Sequence, residues 1–483
     1  MEIEKKKYWL LLYGLITGIA FDILFYNKTL GISYPIFILL ILSITALAFW
    51  NKYDVLENRG WLWAIPIILL SSTSAIFSNQ VLKILNSIII PFLLVMLIIL
   101  VSKTNRSDWA DPRFLGDLFK RIFLPIRYIH MPFITFFRMT DTGGRTNRRI
   151  FPRIAMGILV SVPILAMIIW LLSSADIIFK DLFVSIPISR IIKHFFLVLA
   201  ITIYAACFYW SIVRAQDEDK NPRYDPVSWK RFLDPIVLIT ILFLLDLVYA
   251  VFSFIQFAYL FGGESFVLPS SYTFAEYARR GFFELLAVAV INFVIILITV
   301  SFIRRENSRL HIANKVLMSF TVCFTFVMLA SAFYRMLVYE QAYGFTYLRI
   351  FVQAFMVLLV FLFMINIVFI WYPGLPIIKA YFIASLAVYI ALNFADVDVI
   401  IAQNNIDRYA ETGEIDMEYL KGLSYDAIPQ MARLAGDKEL GDEVLAYFGD
   451  KKQELEDQDC WQSFNHSRSQ AAGIIDKTIR AYP

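Results

Sequence analysis

Residues 235–261 read PIVLITILFLLDLVYAVFSFIQFAYLF, with one charged residue, Asp246, and no glycine. A hydrocarbon core about 30 Å thick is crossed by about 20 residues rising 1.5 Å each. This stretch is therefore long enough to span a bilayer and too apolar to sit on a water-soluble surface. Outward from it, further runs of the same kind are Tyr8 to Tyr26, Gly31 to Trp50, Trp61 to Phe77, Val81 to Ser102, Ile150 to Ser173, Ile191 to Val213, Gly281 to Ile303, Ala313 to Val338, Thr346 to Trp371 and Leu375 to Asn393. The sequence predicts an all-α polytopic transmembrane helical bundle of about 11 spans with a small C-terminal helical extramembrane domain.

Composition supports this. The 483 residues are 59% hydrophobic and only 17% charged, with mean hydropathy +0.65, too little charge to cover a soluble fold. A soluble enzyme, a disordered regulator and a disulfide scaffold are excluded. Cys207, Cys323 and Cys460 form no CxxC pair, and no histidine lies at ligand spacing, so neither a metal nor a disulfide framework is indicated. From Phe394 onward 9 Lys and Arg face 18 Asp and Glu, whereas the whole chain is net +4, so an acidic tail follows a basic membrane part. The expected organisation is a four-span segment over 1–102, a basic loop over 103–149, a seven-span membrane domain over 150–393 and an acidic helical domain over 394–483.

The basic residues orient the bundle. Lys5 to Lys7, Lys52, Arg59, the loop from Lys103 to Arg149, the loop from Arg214 to Arg231, and Arg304, Arg305, Arg309 and Lys315 fall on one side, which the positive-inside rule makes cytoplasmic. Eleven crossings then put the N-terminus inside and the acidic tail outside. Lys5 to Lys7 before an apolar run also suits a signal peptide. The length of the run, Asp22 and the absence of a small-x-small site favour an uncleaved anchor. Asp22 and Asp176 are expected to face water at span ends.

In the basic loop, apolar residues at 114, 115, 118, 119, 122 and 123 share one helical face beside Lys120 and Arg121, the pattern of a helix lying among headgroups. The expected partners are the bilayer and anionic lipids at this loop, with no nucleic acid. Gly143-Gly144 lacks the strand and the GKS/T of a phosphate cradle. In the tail, Asp416 and Ser424 are placed to cap short helices, with longer ones over Leu440 to Leu455 and Trp461 to Tyr482. Its sparse large apolar residues suggest docking on the membrane domain instead of a core of its own.

Ionisable groups in hydrocarbon are costly and mark the place to look for function. Glu284, Asn292, Arg335, Arg349, Asn393 and Asp396 form the candidate ligand-binding set, most of them near the outer ends of spans; Asp246, Tyr334, Tyr343 and Gln353 are secondary. Arginine suits an anionic headgroup because its planar fork holds phosphate or carboxylate through two hydrogen bonds. The competing reading is a structural clamp of opposite charges at one depth.

The run Ile400-Ile401-Ala402-Gln403-Asn404-Asn405-Ile406-Asp407-Arg408-Tyr409, followed by Thr412-Gly413, Asp416, Tyr419-Leu420, Leu423-Ser424, Asp426-Ala427 and Pro429, resembles the tail of a bacterial family of multi-pass membrane proteins, domain of unknown function 4173, related to 4153. Ala278 to Leu285, Tyr334-Arg335-Met336 through Tyr339, Tyr343-Gly344, Thr346, Leu348-Arg349, and Trp461, Ser463, Asn465 and Arg468 resemble it too, and the likeness runs from about residue 150 onward. The resemblance implies a bacterial plasma-membrane location and supplies no activity or catalytic residue. The leading expectation is a non-enzymatic protein that binds or transports an anionic or lipid-like ligand, without a cofactor. A membrane glycosyltransferase-type enzyme and an envelope sensor are the alternatives. No GxSxG, HExxH or Cys/His pair supports nucleophilic or metal catalysis.

Overall fold

The computed structural model describes residues 2–49, 58–140 except 106, scattered positions from 157 to 179, and 188–218, 232–261, 281–303, 308–456 and 460–482. The chain forms two compact units, which cut across its linear segments. Among the described residues nine helices are long and apolar enough to cross a membrane. Ser33–Phe49 is a shorter apolar helix, and the run Ile150 to Ser173 falls largely outside the described residues, as do Gly143-Gly144, Arg279 and Arg280.

The first unit holds residues 1–77, 81–224 and 457–466. Its helices are α1 (Glu2–Phe25), α2 (Ser33–Phe49), α3 (Ala64–Ile76), α4 (Gln80–Val101), α5 (Pro112–Phe123), α6 (His130–Thr140) and α7 (Ile188–Glu218). The broadest contact joins α1 to α7. It depends on Gly14 and Gly18, where a Cβ would lie 2.7 Å from the Thr202 carbonyl oxygen and 2.6 Å from that of Val198. Small residues four apart let two backbones approach closely, as membrane helices require when lipid is as apolar as leucine. Asp22 does not simply face water: His194 Nδ1 lies 2.7 Å from its Oδ1. The third span opens as a 3₁₀ turn over Arg59–Trp63.

Helix α5 starts at Asp111, whose side chain accepts from Arg113 N at 2.9 Å. Its apolar residues split into two rows: Phe114 and Leu118 are buried, while Leu115, Phe119 and Phe123, four apart, are exposed. Near the C-terminus, Asn465 Nδ2 donates to the Ser74 and Phe77 carbonyls at 3.0 and 2.7 Å. That satisfies acceptors left unpaired where α3 ends.

The second unit holds residues 78–80, 225–456 and 467–483. It contains α8 (Pro235–Phe261), α9 (Phe282–Phe302), α10 (Ser308–Tyr343), α11 (Tyr347–Trp371) and α12 (Ile377–Phe394), then α13 (Val397–Thr412), α14 (Met417–Lys421), α15 (Ile428–Met431), α16 (Gly441–Glu456) and α17 (His466–Ala481). Helix α10 is the hub, packing on α8, α9 and α11. On α9 the buried positions Phe282, Leu285, Ala289, Asn292, Ile296 and Thr299 alternate by three and four, one inward stripe. The outward positions are apolar as well. Ile241, Phe243, Leu244, Leu247, Val248, Val251, Phe254 and Ile255 of α8 are all exposed, a surface that lipid tolerates and water does not.

Asp416 accepts from Tyr419 N, and Ser424 from Asp426 N, as the caps the sequence suggested. Within the tail, Ala427, Ile428, Met431, Val444, Phe448, Ala471 and Ile475 are fully buried.

Candidate anion-binding site

The polar residues singled out in the sequence fall into separate groups within the second unit. Mid-bundle, Thr321 Oγ1 donates to Asp246 Oδ1 at 2.7 Å, Tyr249 OH to Asn292 Oδ1 at 2.8 Å, and Asn292 Nδ2 to Thr325 Oγ1 at 2.9 Å. These bonds tie α8, α9 and α10 together.

Nearer the end of α8 that leads toward α9, Ser331 Oγ donates to Gln256 Oε1 at 2.6 Å, and Arg335 Nη2 donates to the same oxygen at 3.3 Å. Gly281 opens α9 with φ of +86°, and a Cβ there would lie 2.7 Å from Arg335 Nη1. Only glycine combines that dihedral with that proximity.

Glu284 lies on the exposed side of α9 and forms no ion pair with Arg335 or Arg349 among the described residues. Asn393 is buried and donates to the Tyr389 carbonyl at 2.9 Å. Asp396 belongs to a different group. It sits at the left-handed turn between α12 and α13 (φ 49°), near Asp398 and Asp426. Tyr334 and Tyr343 are half exposed.

Arg349, at the first turn of α11, has the most suggestive surroundings. Its Nη1 donates to the Tyr343 carbonyl at 3.1 Å and to that of Gly344, and its Cζ stands 4.3 Å from the Tyr339 ring centroid. A guanidinium carries five N–H donors. Both Nη1 hydrogens are thus used, and the Nε and Nη2 edge has no protein acceptor among the described residues. That edge is the two-pronged side that pairs with phosphate or carboxylate.

The guanidinium borders a cavity of about 400 Å³ whose other walls are Phe282, Phe283, Met336, Tyr339, Thr346, Leu348 and Val352. All but Val352 come from segments that carry the sequence resemblance. Among the described residues the site therefore joins the Arg349 fork to largely apolar walls, suited to an amphiphile with an anionic head.

The sequence reading missed Glu340 and Gln256. Glu340 is completely buried and its Oε2 accepts from Gln353 Nε2 at 2.6 Å. Ending the ninth span at Val338 made Glu340 a loop residue, whereas α10 continues to Tyr343. Its proximity to Gln353, thirteen residues on, becomes visible only once the turn into α11 is known.

Among the described residues no group of three or more His, Cys, Asp or Glu side chains could hold a metal ion. No curated protein and no solved structure matches the chain. The family model described as Domain of unknown function (DUF4153) matches residues 64–434. The resemblance thus resolves to 4153 and not 4173. It begins well before residue 150, and it stops short of Trp461, Ser463, Asn465 and Arg468. With more than three quarters of its length matched, the chain belongs to the DUF4153 family of domains of unknown function.

Proposed function

We propose that this protein is a non-enzymatic membrane protein that binds, and in doing so presents or moves, an anionic lipid-like ligand at the Arg349 cavity. The carrying observation is the unused Nε and Nη2 edge of Arg349 beside apolar walls. On the positive-inside reading the cavity opens in the outer leaflet of a bacterial plasma membrane, the N-terminus is cytoplasmic and the tail is extracytoplasmic. Tyr339 and the two backbone carbonyls hold the guanidinium in place before ligand arrives. Less side-chain entropy is then lost on binding.

Lipid mass spectrometry of the purified protein tests this, with Arg349→Ala and Arg349→Lys alongside. A charge-assisted hydrogen bond contributes about 1.5–3 kcal/mol, so Arg349→Ala should weaken retention of an anionic lipid about 10- to 100-fold. Arg349→Lys keeps the charge without the fork and should recover only part. Equal lipid retention in all three proteins, or a loss of abundance with no change in bound lipid, would leave Arg349 a structural residue and end the proposal.

A further inference from the structure

A second cavity, of about 650 Å³, lies in the first unit between α5, the 3₁₀ turn Leu124–Tyr128 and α7. Among the described residues its lining carries Lys120, Arg121 and Arg127 against one acid, Asp117. A fourth cation stands nearby, with Arg214 Cζ 5.8 Å from the Tyr128 ring centroid. Arg121 is buried and fixed by donating from Nη2 to the Thr104 carbonyl at 3.2 Å, while Lys120 and Arg127 are exposed.

Apolar residues border the basic lining. Phe119 and Phe123 belong to both the cavity wall and the exposed row of α5, and Ile126 of the following turn and Ile129 just after it are also exposed. A row of exposed aromatic and aliphatic side chains on an otherwise amphipathic helix is the surface that enters the acyl boundary of a bilayer. Cations and acyl-facing side chains thus meet at one concave place.

We propose that this cavity is a discrete binding site for one anionic glycerophospholipid. Lys120 and Arg127 reach its phosphate, Arg121 supplies fixed charge behind them, and the acyl chains run along Phe119 and Phe123. Charge complementarity selects the occupant: a headgroup with a compensating ammonium would place a cation among three others. The site goes beyond a general attraction of a basic loop to acidic membranes, because it predicts a countable lipid. It is also independent of the Arg349 reading, since the residues belong to different units.

The test uses the full-length protein in nanodiscs of phosphatidylcholine with graded phosphatidylglycerol, read by native mass spectrometry and thermal unfolding. Each basic residue near a membrane surface contributes about fivefold in affinity, so the pair Lys120→Ala/Arg127→Ala should bind phosphatidylglycerol about 30-fold more weakly and retain one lipid fewer. The exchange Lys120→Arg/Arg127→Lys should keep that lipid, and Arg349→Ala should not remove it. High salt should strip loosely attracted lipid while leaving this one, because partly enclosed pairs are screened less.

If the double variant does not accumulate, Lys120→Gln alone, at an exposed position, should show about a fivefold weakening. An unchanged lipid count and affinity in these variants overturns the proposal. So does equal stabilisation by inorganic phosphate in nanodiscs of phosphatidylcholine alone, which would make the cavity a small-anion site.

Discussion

Asn292 shows how a single side chain joins three helices. It is completely buried, accepts from Tyr249 of α8 and donates to Thr325 of α10. Asn292→Leu keeps the branching at Cγ but strips Tyr249 of its acceptor, a loss of about 1–2 kcal/mol in a membrane interior. Thermal unfolding should fall accordingly, with lipid retention at Arg349 unchanged. Adding Tyr249→Phe should restore part of the loss, since both ends of the bond then disappear; a further additive drop would show that the bond is not the reason. Asn292 and Asp246 were legible in the sequence because a lone amide or carboxyl interrupts an apolar run. Tyr249, Thr321 and Thr325 were not, because hydroxyl residues are ordinary in such helices and only packing shows which carboxyl or amide they meet. Arg349 was legible by charge, but its particular value, one edge used and one edge open, comes from the Tyr343 and Gly344 carbonyls and could not be read from spacing.

Among the helices, close approach and capping decide what hydropathy leaves open. The Gly14/Gly18 pair was readable as a small-xxx-small spacing, yet its partner, α7, begins about 170 residues later and no local pattern announces it. Gly14→Val should force α1 off α7, because the new Cβ would lie 2.7 Å from a backbone oxygen that cannot rotate away. Overpacking of this kind costs about 1–3 kcal/mol, visible as lower abundance and earlier unfolding. Unchanged unfolding would mean that the two helices are not held by contact at Gly14. Capping explains part of the tail signature. Arg408 Nε and Nη2 donate to the Gln341 and Ala342 carbonyls at 2.9 and 2.8 Å, and Asn405 both donates to and accepts from Phe345. The Gln341 and Ala342 carbonyls are acceptors that α10 leaves unpaired at its end, and Phe345 lies in the turn that follows. The helical spacing read at 114–123 falls within α5, whereas its two apolar rows required the fold, since a helical wheel does not say which row meets protein and which meets lipid.

Across the whole molecule, the acidic tail makes stability depend on pH through carboxyls gathered where α13 begins. Asp398, completely buried, accepts from Asn79 Nδ2 at 2.5 Å, from Ser424 N at 3.3 Å and from the Tyr347 hydroxyl. Asp426 accepts from Ser78 N at 2.8 Å and Ser424 Oγ at 2.9 Å. Asp396 is less well supplied: its Oδ1 is buried without a hydrogen-bond partner among the described residues. Burial, and then the charges of Asp426 and Asp398, push its carboxyl up from 3.8 to about 7. Burial raises Asp398 as well, against the hydrogen bonds it accepts. Between about pH 4 and 7 the folded protein therefore holds protons that the unfolded chain has released, and its stability must decline as pH rises through that window. The unfolding temperature should be highest near the acid end of the window and level off above about pH 7. Asp396→Asn removes the charge that this site accommodates poorly, so its profile should be flatter and should lie above the wild type at neutral pH. A wild-type profile that instead rises from pH 4 to 7, or one that Asp396→Asn leaves unaltered, would show that the junction of α12 and α13 holds its carboxylates ionised at no cost. On the proposed topology this junction faces the medium outside the cell, so acidification there would tighten the joint between the tail and the span that precedes it.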